Sequence, residues 1–321
     1  MKLFRKSEKY RDRMIKINEI LDDLEVLKGV KDREINQYAV EENILFFKSA
    51  RLVFSYIWWL LFHAPKIDGE RLLEVTDFGV EKWDREMHTK LIEMEKKKFP
   101  GLVAPLVKKI SSFISNGNGR QLVVSLGAGG MEVERQVIAH LIDNKHKHPV
   151  VFVGVDRSET AQEIAQENLR DLIDKGVVVK KIDYINEDII NKELNNLGSS
   201  QHLVIICRND IFELDNDFSV DYFDLVFHTL FKHHLDKEES RKIDTVTQKV
   251  AKHTMEYDGY RSWGQMIPQT IVGWNNPVFL NAEIFSNIRF AKKRAIRENN
   301  SDDQYKLSFY PLGYYIKEYK W

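Results

Sequence analysis

Two glycines one residue apart, Gly127 and Gly129, follow the apolar run Val123-Val124-Ser125-Leu126 and precede a helical pattern that starts at Glu132. Glycine lets a backbone approach a bound molecule closely, and the first N–H groups of a helix have no acceptor within it. Such a pair after a strand is more often a plain turn, so it needs company before it counts as a ligand loop. A dinucleotide fingerprint requires glycine at its first, third and sixth positions. Here the sixth position is Glu132. A carboxylate there would repel a diphosphate, so the loop is expected to suit a ligand with a cationic or zwitterionic end and to disfavour NAD.

Asp156 ends a second apolar run, Val150 to Val155, where a carboxylate can accept hydrogen bonds from both hydroxyls of a ribose. It could instead cap the next helix, in competition with Ser158. Arg208-Asn209-Asp210-Ile211 follows a third run, and Asp210 could be a plain turn residue. Asp224 starts the run that leads to His228, Thr229 and the adjacent pair His233 and His234, and as a strand-opening acid it is expected to serve local hydrogen bonding. An imidazole can take a proton from a hydroxyl or amine nucleophile, which makes His234 and His233 the candidate catalytic bases. Adjacent helical residues point in different directions, so at most one is expected to face a cleft, and no metal site is expected from these histidines.

The elements that must position these groups divide the chain in two. Residues 1–118 read as helices: Lys6 to Leu27, Asp32 to His63, Gly69 to Lys98 and Ala104 to Ser115. Asn116-Gly117-Asn118-Gly119 is a loop signal and sets the boundary. Residues 119–321 alternate short apolar runs with amphipathic helices, the mark of an α/β parallel sheet. Strands are expected at Leu122 to Leu126, Val150 to Val155, Val177 to Ile182, Leu203 to Ile206, Phe223 to Phe227 and Gln269 to Trp274, with a terminal hairpin of Tyr305 to Tyr310 and Tyr314 to Tyr319. The aromatic-rich segment from Glu256 to Phe290, with Tyr257, Tyr260, Trp263, Trp274 and Phe279, suits a substrate pocket and a core equally.

In 321 residues, 48 Lys and Arg stand against 49 Asp and Glu, so no global positive field would hold a nucleic acid. The basic run Lys292-Lys293-Arg294 is too short to change that. The single cysteine, Cys207, excludes an intramolecular disulfide and fits a reducing compartment, the cytoplasm by default. MKLFRKSEKYRDRM has no apolar core for a secretion signal. Between Ile44 and Ala64, Lys48, Arg51 and His63 leave too short an uncharged run for a membrane span, and a buried helix is expected there.

Taken in order, the glycine loop, Asp156, Asp210-Ile211 and Phe223-Asp224-Leu225-Val226 resemble the class I S-adenosylmethionine-dependent methyltransferases. The match covers Gln121 to Leu235 and departs from the family at Ser125, often acidic there, and at Met131, often a third glycine. The resemblance implies a Rossmann-like, mostly parallel sheet with a terminal antiparallel hairpin behind a helical N-terminal cap or lid. It implies that Ser125, Gly127, Ala128, Gly129, Asp156, Arg157, Asn209, Asp210, Ile211, His228 and Thr229 line S-adenosylmethionine. In that scheme Gly127 and Gly129 approach the methionine portion, Asp156 holds the ribose, and Asp210 with Ile211 frames the adenine. Asp188 is the rival adenine-side acid. Asp210 is preferred because it stands much nearer Asp224, leaving Gly176 to Ser200 as an insertion. Phe227-His228-Thr229-Leu230 stands where nucleic-acid amino-methyltransferases carry Asn-Pro-Pro-Tyr, which tilts the acceptor toward a small molecule. A nicotinamide-dependent oxidoreductase, a non-catalytic binding protein and a membrane-surface enzyme are the alternatives.

Overall fold

The computed structural model describes residues 101–198, 201–232, 235, 237–259, 305–310 and 314–320, with Thr89, Ile92, Glu93 and Lys96 as single positions. The expected first two helices, the strand at Gln269 to Trp274, the pair His233 and His234, and the residues Tyr260, Trp263, Trp274 and Phe279 lie outside the described residues, as does Ile44 to Ala64. Among the described residues no helix is long and apolar enough to cross a membrane.

Helix α1 (Ala104–Asn116), with proline in its first turn, leads through the Gly117–Gly119 loop into β1 (Gln121–Leu126). There follow α2 (Glu132–Asp143), β2 (Val150–Val155), α3 (Glu159–Asn168), the single turn α4 (Arg170–Ile173), β3 (Val178–Ile182), α5 (Glu187–Asn195) and β4 (Leu203–Cys207). A short α6 (Leu214–Asp217), β5 (Leu225–Thr229), α7 (Lys237–Val250), β6 (His253–Gly259), β7 (Tyr305–Tyr310) and β8 (Tyr314–Lys320) complete the order.

The eight strands form one sheet in the order β3-β4-β2-β1-β5-β6-β8-β7. All pairings are parallel except those of β8, which runs antiparallel to both β6 and β7. With β3 set aside, β4-β2-β1-β5-β6 follows the 3-2-1-4-5 order of the doubly wound Rossmann sheet, and the order reverses between β1 and β5. The expected insertion carries β3 and α5, which extend the sheet past β4. Lys180 and Lys181 make β3 a charged edge, the usual protection against further pairing.

Continuous apolar runs place β2 and β4 in the buried middle, as parallel strands covered on both faces must be. On one face Val123, Phe152, Val204 and Phe227 pack under α1, α2 and α3. On the other, Val124, Val151, Val153, Ile205 and Val226 pack under α5 and α7. Tyr257 belongs to the first core: it is 1% exposed, stacks on Tyr314 with centroids 5.4 Å apart, and donates its hydroxyl hydrogen to the Leu102 carbonyl at 2.5 Å. For this residue the core alternative holds.

Strand bounds shift by one or two residues from expectation at β1, β3, β4, β5 and β8, and one strand was not expected at all. Phe223 makes only an isolated bridge to Ala251, and β5 begins at Leu225. β6 was not expected, although Thr254, Glu256 and Asp258 alternate with Met255 and Tyr257 as in a half-buried strand; in the fold both of its faces are buried. Asp224 serves local bonding as expected. Its Oδ2 accepts from the Leu122 N–H at 2.8 Å and its Oδ1 takes Lys252 Nζ at 2.8 Å, so it locks the start of β5 to β1. Asp224→Ala leaves a strand N–H without this acceptor and is expected to cost about 1–3 kcal/mol in urea unfolding.

Candidate functional site

Strand register gathers the sequence-predicted groups at the carboxyl end of the sheet, where ligands sit in folds of this kind. Leu126 pairs with Val155 on one side and His228 on the other, and Val155 pairs with Cys207. Residues 127–129, 156–158, 208–211 and 229–231 therefore leave neighbouring strands roughly 4.8 Å apart. A groove of about 870 Å³ bordered by Asn116, Gln121, Lys252 and Tyr305 lies at the opposite end and touches none of these groups.

Gly127 and Gly129 both take positive φ, +62° and +49°, which favours glycine. Met131 does the same at φ 55° as the residue before α2. A side chain in this conformation costs about 1–2 kcal/mol. Burying the thioether offsets that: Met131 is 1% exposed, and a Cβ placed on Gly154 would come within 2.5 Å of its methyl carbon. Met131 thus makes the turn a third glycine would make, and β2 carries the glycine that receives it.

The loop is tied to β2 by Asp156. Its Oδ2 accepts from the Gly129 N–H at 2.8 Å and its Oδ1 from the Ser158 N–H at 2.9 Å. The cap of α3 is Ser158, whose Oγ accepts from the Ala161 N–H at 3.0 Å. Ala128 donates its N–H to the Val155 carbonyl at 3.1 Å, and Arg157 is exposed.

β4, not β3, lies beside β2, and Asp210 follows it, whereas Asp188 sits in the first turn of α5 behind the edge strand. Asp210 is exposed and forms a turn with the Phe212 N–H at 2.9 Å; Ile211 is half-buried. Asn209 is a clamp: its Oδ1 accepts from the Ile185 N–H at 2.9 Å and its Nδ2 donates to the Ile185 carbonyl at 3.2 Å. Cys207 is buried beneath, its thiol pushed well above the usual range by burial and the Asp156 charge.

From β5, His228 is 5% exposed, and its Nδ1 has no hydrogen-bond partner among the described residues. The buried Thr229 Oγ1 has none either. Burial holds the His228 imidazole below its ordinary pKa despite Glu256 at 3.8 Å from Nε2, so the ring is neutral at pH 7. The Phe231 ring stands 6.1 Å from the His228 ring and rests against Gly127, where a Cβ would come within 2.4 Å of it.

Beneath His228 lies a buried ionic cluster that motif reading missed. Lys232, 1% exposed, contacts Asp244 at 2.7 and 2.8 Å and Glu256 at 3.3 Å. Lys317 lies 3.9 Å from Glu256 and over the Tyr319 ring at 4.2 Å, and Tyr315 donates to Glu256. Burial alone would raise the Glu256 carboxyl, but Lys232, Lys317 and His228 hold it well below the usual value. The register His228–Glu256–Lys317 across three strands could only be seen once β6 was placed.

The two acids of α2 have different fates. Glu132 is fully engaged by Arg135 at 2.8 and 2.9 Å, Gln136 at 3.1 Å, Asn168 at 3.0 Å and Lys96 at 3.3 Å. Although burial opposes it, the bond to Arg135 keeps this carboxyl ionised, and the charge is matched. The expectation that Glu132 repels a diphosphate loses its basis. Glu134 is 2% exposed, and burial raises its carboxyl to about 7, with the charges of Glu132 and Asp156 adding to the rise and the Ser125 hydroxyl opposing it.

The sequence matches no known protein family pattern and no curated protein. Among solved structures the chain is similar to a candidate S-adenosyl-L-methionine-dependent methyltransferase of Methanococcus maripaludis, at 15% identity and TM-score 0.44, covering 74% of this chain and 94% of that one. It is also similar to the CurJ carbon methyltransferase, at 12% identity and TM-score 0.48 over 93% of this chain and 69% of that one. The plantazolicin methyltransferase BamL, solved with a triazolic desmethyl analogue and S-adenosylhomocysteine, is similar at 12% identity and TM-score 0.42 over 71% and 79%. Likenesses this distant carry no activity across. The chain's own strand order and terminal hairpin give it a Rossmann-like, mostly parallel sheet closed by an antiparallel hairpin.

The folded chain holds the Glu134 proton more tightly than an unfolded glutamate with its ordinary value of 4.5. This contribution to stability is complete below that value and is lost as pH rises through about 7. Urea unfolding of wild type and Glu134→Gln is expected to show wild type losing up to ~3 kcal/mol relative to the variant between about pH 4 and pH 8.

Proposed function

We propose that the chain binds S-adenosylmethionine and transfers its methyl group to a small-molecule acceptor. The observation that carries this reading is the glycine turn hydrogen-bonded to Asp156, with His228 Nδ1, which has no hydrogen-bond partner among the described residues, on the adjacent strand. These groups fit a nucleoside with a zwitterionic tail: backbone that approaches closely, a carboxylate at ribose position, and an orphaned buried nitrogen.

The cofactor supplies a methyl group already activated on a sulfonium, so the protein's work is holding, aligning and excluding water. Gly127, Ala128 and Gly129, with Ser125 below, face the methionine portion. Asp156 accepts from the ribose hydroxyls beside Arg157. Asp210 and Ile211 flank the adenine, and Asn209 fixes their loop by clamping Ile185. His228 and Thr229 line the cofactor from β5. Neutral His228 accepts hydrogen bonds at Nδ1, and His234 or His233 would serve an acceptor that must lose a proton. Of residues 1–118, α1 belongs to the core of the sheet, and the residues before it act as a cap on residues 119–321. Support for that is the contact of Ile92 with Gly130 and of Lys96 with Glu132, both at the loop. The buried single thiol fits a cytoplasmic setting.

One observation favours a second reading, a non-catalytic protein of the same fold: Phe231 already covers Gly127. Calorimetric titration separates the two. S-adenosylhomocysteine is expected to bind with micromolar or tighter affinity, and Asp156→Ala, which removes the ribose acceptor, is expected to weaken it by about tenfold to a hundredfold. Unchanged affinity in the variant contradicts the ribose assignment, and no binding to wild type contradicts the whole reading.

A further inference from the structure

Gly127 leaves room at its α-carbon, and the Phe231 ring takes it. A Cβ built on Gly127 would come within 2.4 Å of Phe231 Cδ2, 2.9 Å of Cγ and 3.0 Å of Cε2, so one edge of the ring fills the space a side chain would use. A ligand tail that approaches the same α-carbon must take that space from the ring. We propose that Phe231 is a gate on the glycine loop: seated on Gly127 it closes the loop, and it rotates off as the amino-acid end of the ligand enters. Its seat therefore weakens ligands that carry this end and spares nucleosides that lack it. The inference rests on the cofactor reading above.

The backbone on either side of the ring is held. Leu230 takes left-handed backbone, φ 51°, which a residue other than glycine seldom adopts, and its N–H donates to the Tyr257 carbonyl at 2.8 Å. Backbone of this kind persists where the surrounding structure enforces it, and it clusters at ligand clamps and switches. On the other side Lys232, 1% exposed, is bonded to Asp244 at 2.7 and 2.8 Å and to Glu256 at 3.3 Å. The turn at Leu230 carries the chain off β5, and the ring it delivers lies over the loop after β1, the strand paired with β5. With both neighbours fixed, opening is a rotation about the Phe231 side-chain bonds and leaves the sheet as it is. The ring is half-buried, so solvent borders it.

Two buried polar atoms give an independent sign that a polar occupant belongs here. His228 Nδ1 and Thr229 Oγ1, on the two residues that lead into the Leu230 turn, have no hydrogen-bond partner among the described residues. The His228 residue is 5% exposed, and its ring stands edge-on to the Phe231 ring at 6.1 Å. Folded proteins leave few buried polar atoms unmatched, and those that remain so call for a ligand, an ion or water. A phenyl ring can match neither atom, whereas the polar end of a ligand that displaces it can supply a donor.

The test uses the full chain, S-adenosylhomocysteine and 5′-methylthioadenosine, which shares the nucleoside but lacks the amino-acid end. A ring seated on Gly127 in about nine molecules of ten lowers the apparent affinity of a ligand that needs it gone by about tenfold. Calorimetric titration of Phe231→Ala is therefore expected to show S-adenosylhomocysteine bound about tenfold more tightly than by wild type, with methylthioadenosine changed less than about twofold. Phe231→Leu keeps an apolar side chain at the position and guards against a variant that fails to fold; it should tighten S-adenosylhomocysteine by a smaller factor and again spare methylthioadenosine. If wild type binds both nucleosides and the two variants bind S-adenosylhomocysteine no better, or lose affinity for both ligands alike, the ring is fixed packing of the loop, and the gate is overturned while the cofactor reading stands. If neither nucleoside binds wild type or variants, both fall.

Discussion

The bond from the Gly129 N–H to the Asp156 carboxylate is the constraint on which the site depends. It joins the turn after β1 to the end of β2, two strands held in register over six residue pairs. Once that bond is made, Gly127 and Gly129 must take left-handed backbone, Met131 must turn the chain into α2, and Gly154 must stay bare to receive the methionine side chain. The two glycines, the methionine and the aspartate are thus one mechanical unit. A loop held this way presents its backbone without having to be ordered by a ligand, which lowers the cost of binding.

The other half of the crevice is braced electrostatically. Lys232 and Lys317 are almost fully buried beside Glu256, with Asp244 closing the cluster from α7. Lys232 and Lys317 face Glu256 and Asp244, His228 is neutral, and the buried Asp258 adds a further acid beside that ring. Replacing such a cluster by apolar groups is often neutral for stability, whereas removing one partner typically costs about 3–5 kcal/mol. Its value here is positional: it spans β5, β6, β8 and α7 and so fixes where His228 and Phe231 emerge. The hairpin β7–β8, remote in sequence, contributes through Lys317 and Tyr315.

Much of the sheet was legible because central parallel strands are continuous apolar runs, and β2 was bounded correctly by Val150 and Val155 from that signal alone. The burial of the polar face of β6 was opaque because Glu256 is held by Lys232, Lys317 and Tyr315 from outside the strand, which no local pattern records. Ser158 as cap and Asp224 as a local lock followed from residue type and position. Glu132 and Glu134 show the limit. Both are acids at the start of one helix, and only their neighbours decide that one is neutralised by Arg135 while the other lies buried against Ser125. Met131 at the position of a third glycine looked like a defect in the loop. It is a substitution matched by Gly154 on the next strand, a pairing visible only in register.

At the loop, Asp156 takes the Gly129 N–H, and the nearby cations Arg135 and Lys96 are engaged by Glu132. A crystal structure of the chain soaked with S-adenosylhomocysteine tests this most directly. The account predicts the amino-acid tail against residues 127–129, the ribose on Asp156, and the Phe231 ring beside the ligand. Phe231 still seated on Gly127 with the nucleoside bound elsewhere, or a diphosphate cofactor filling the turn, would contradict it.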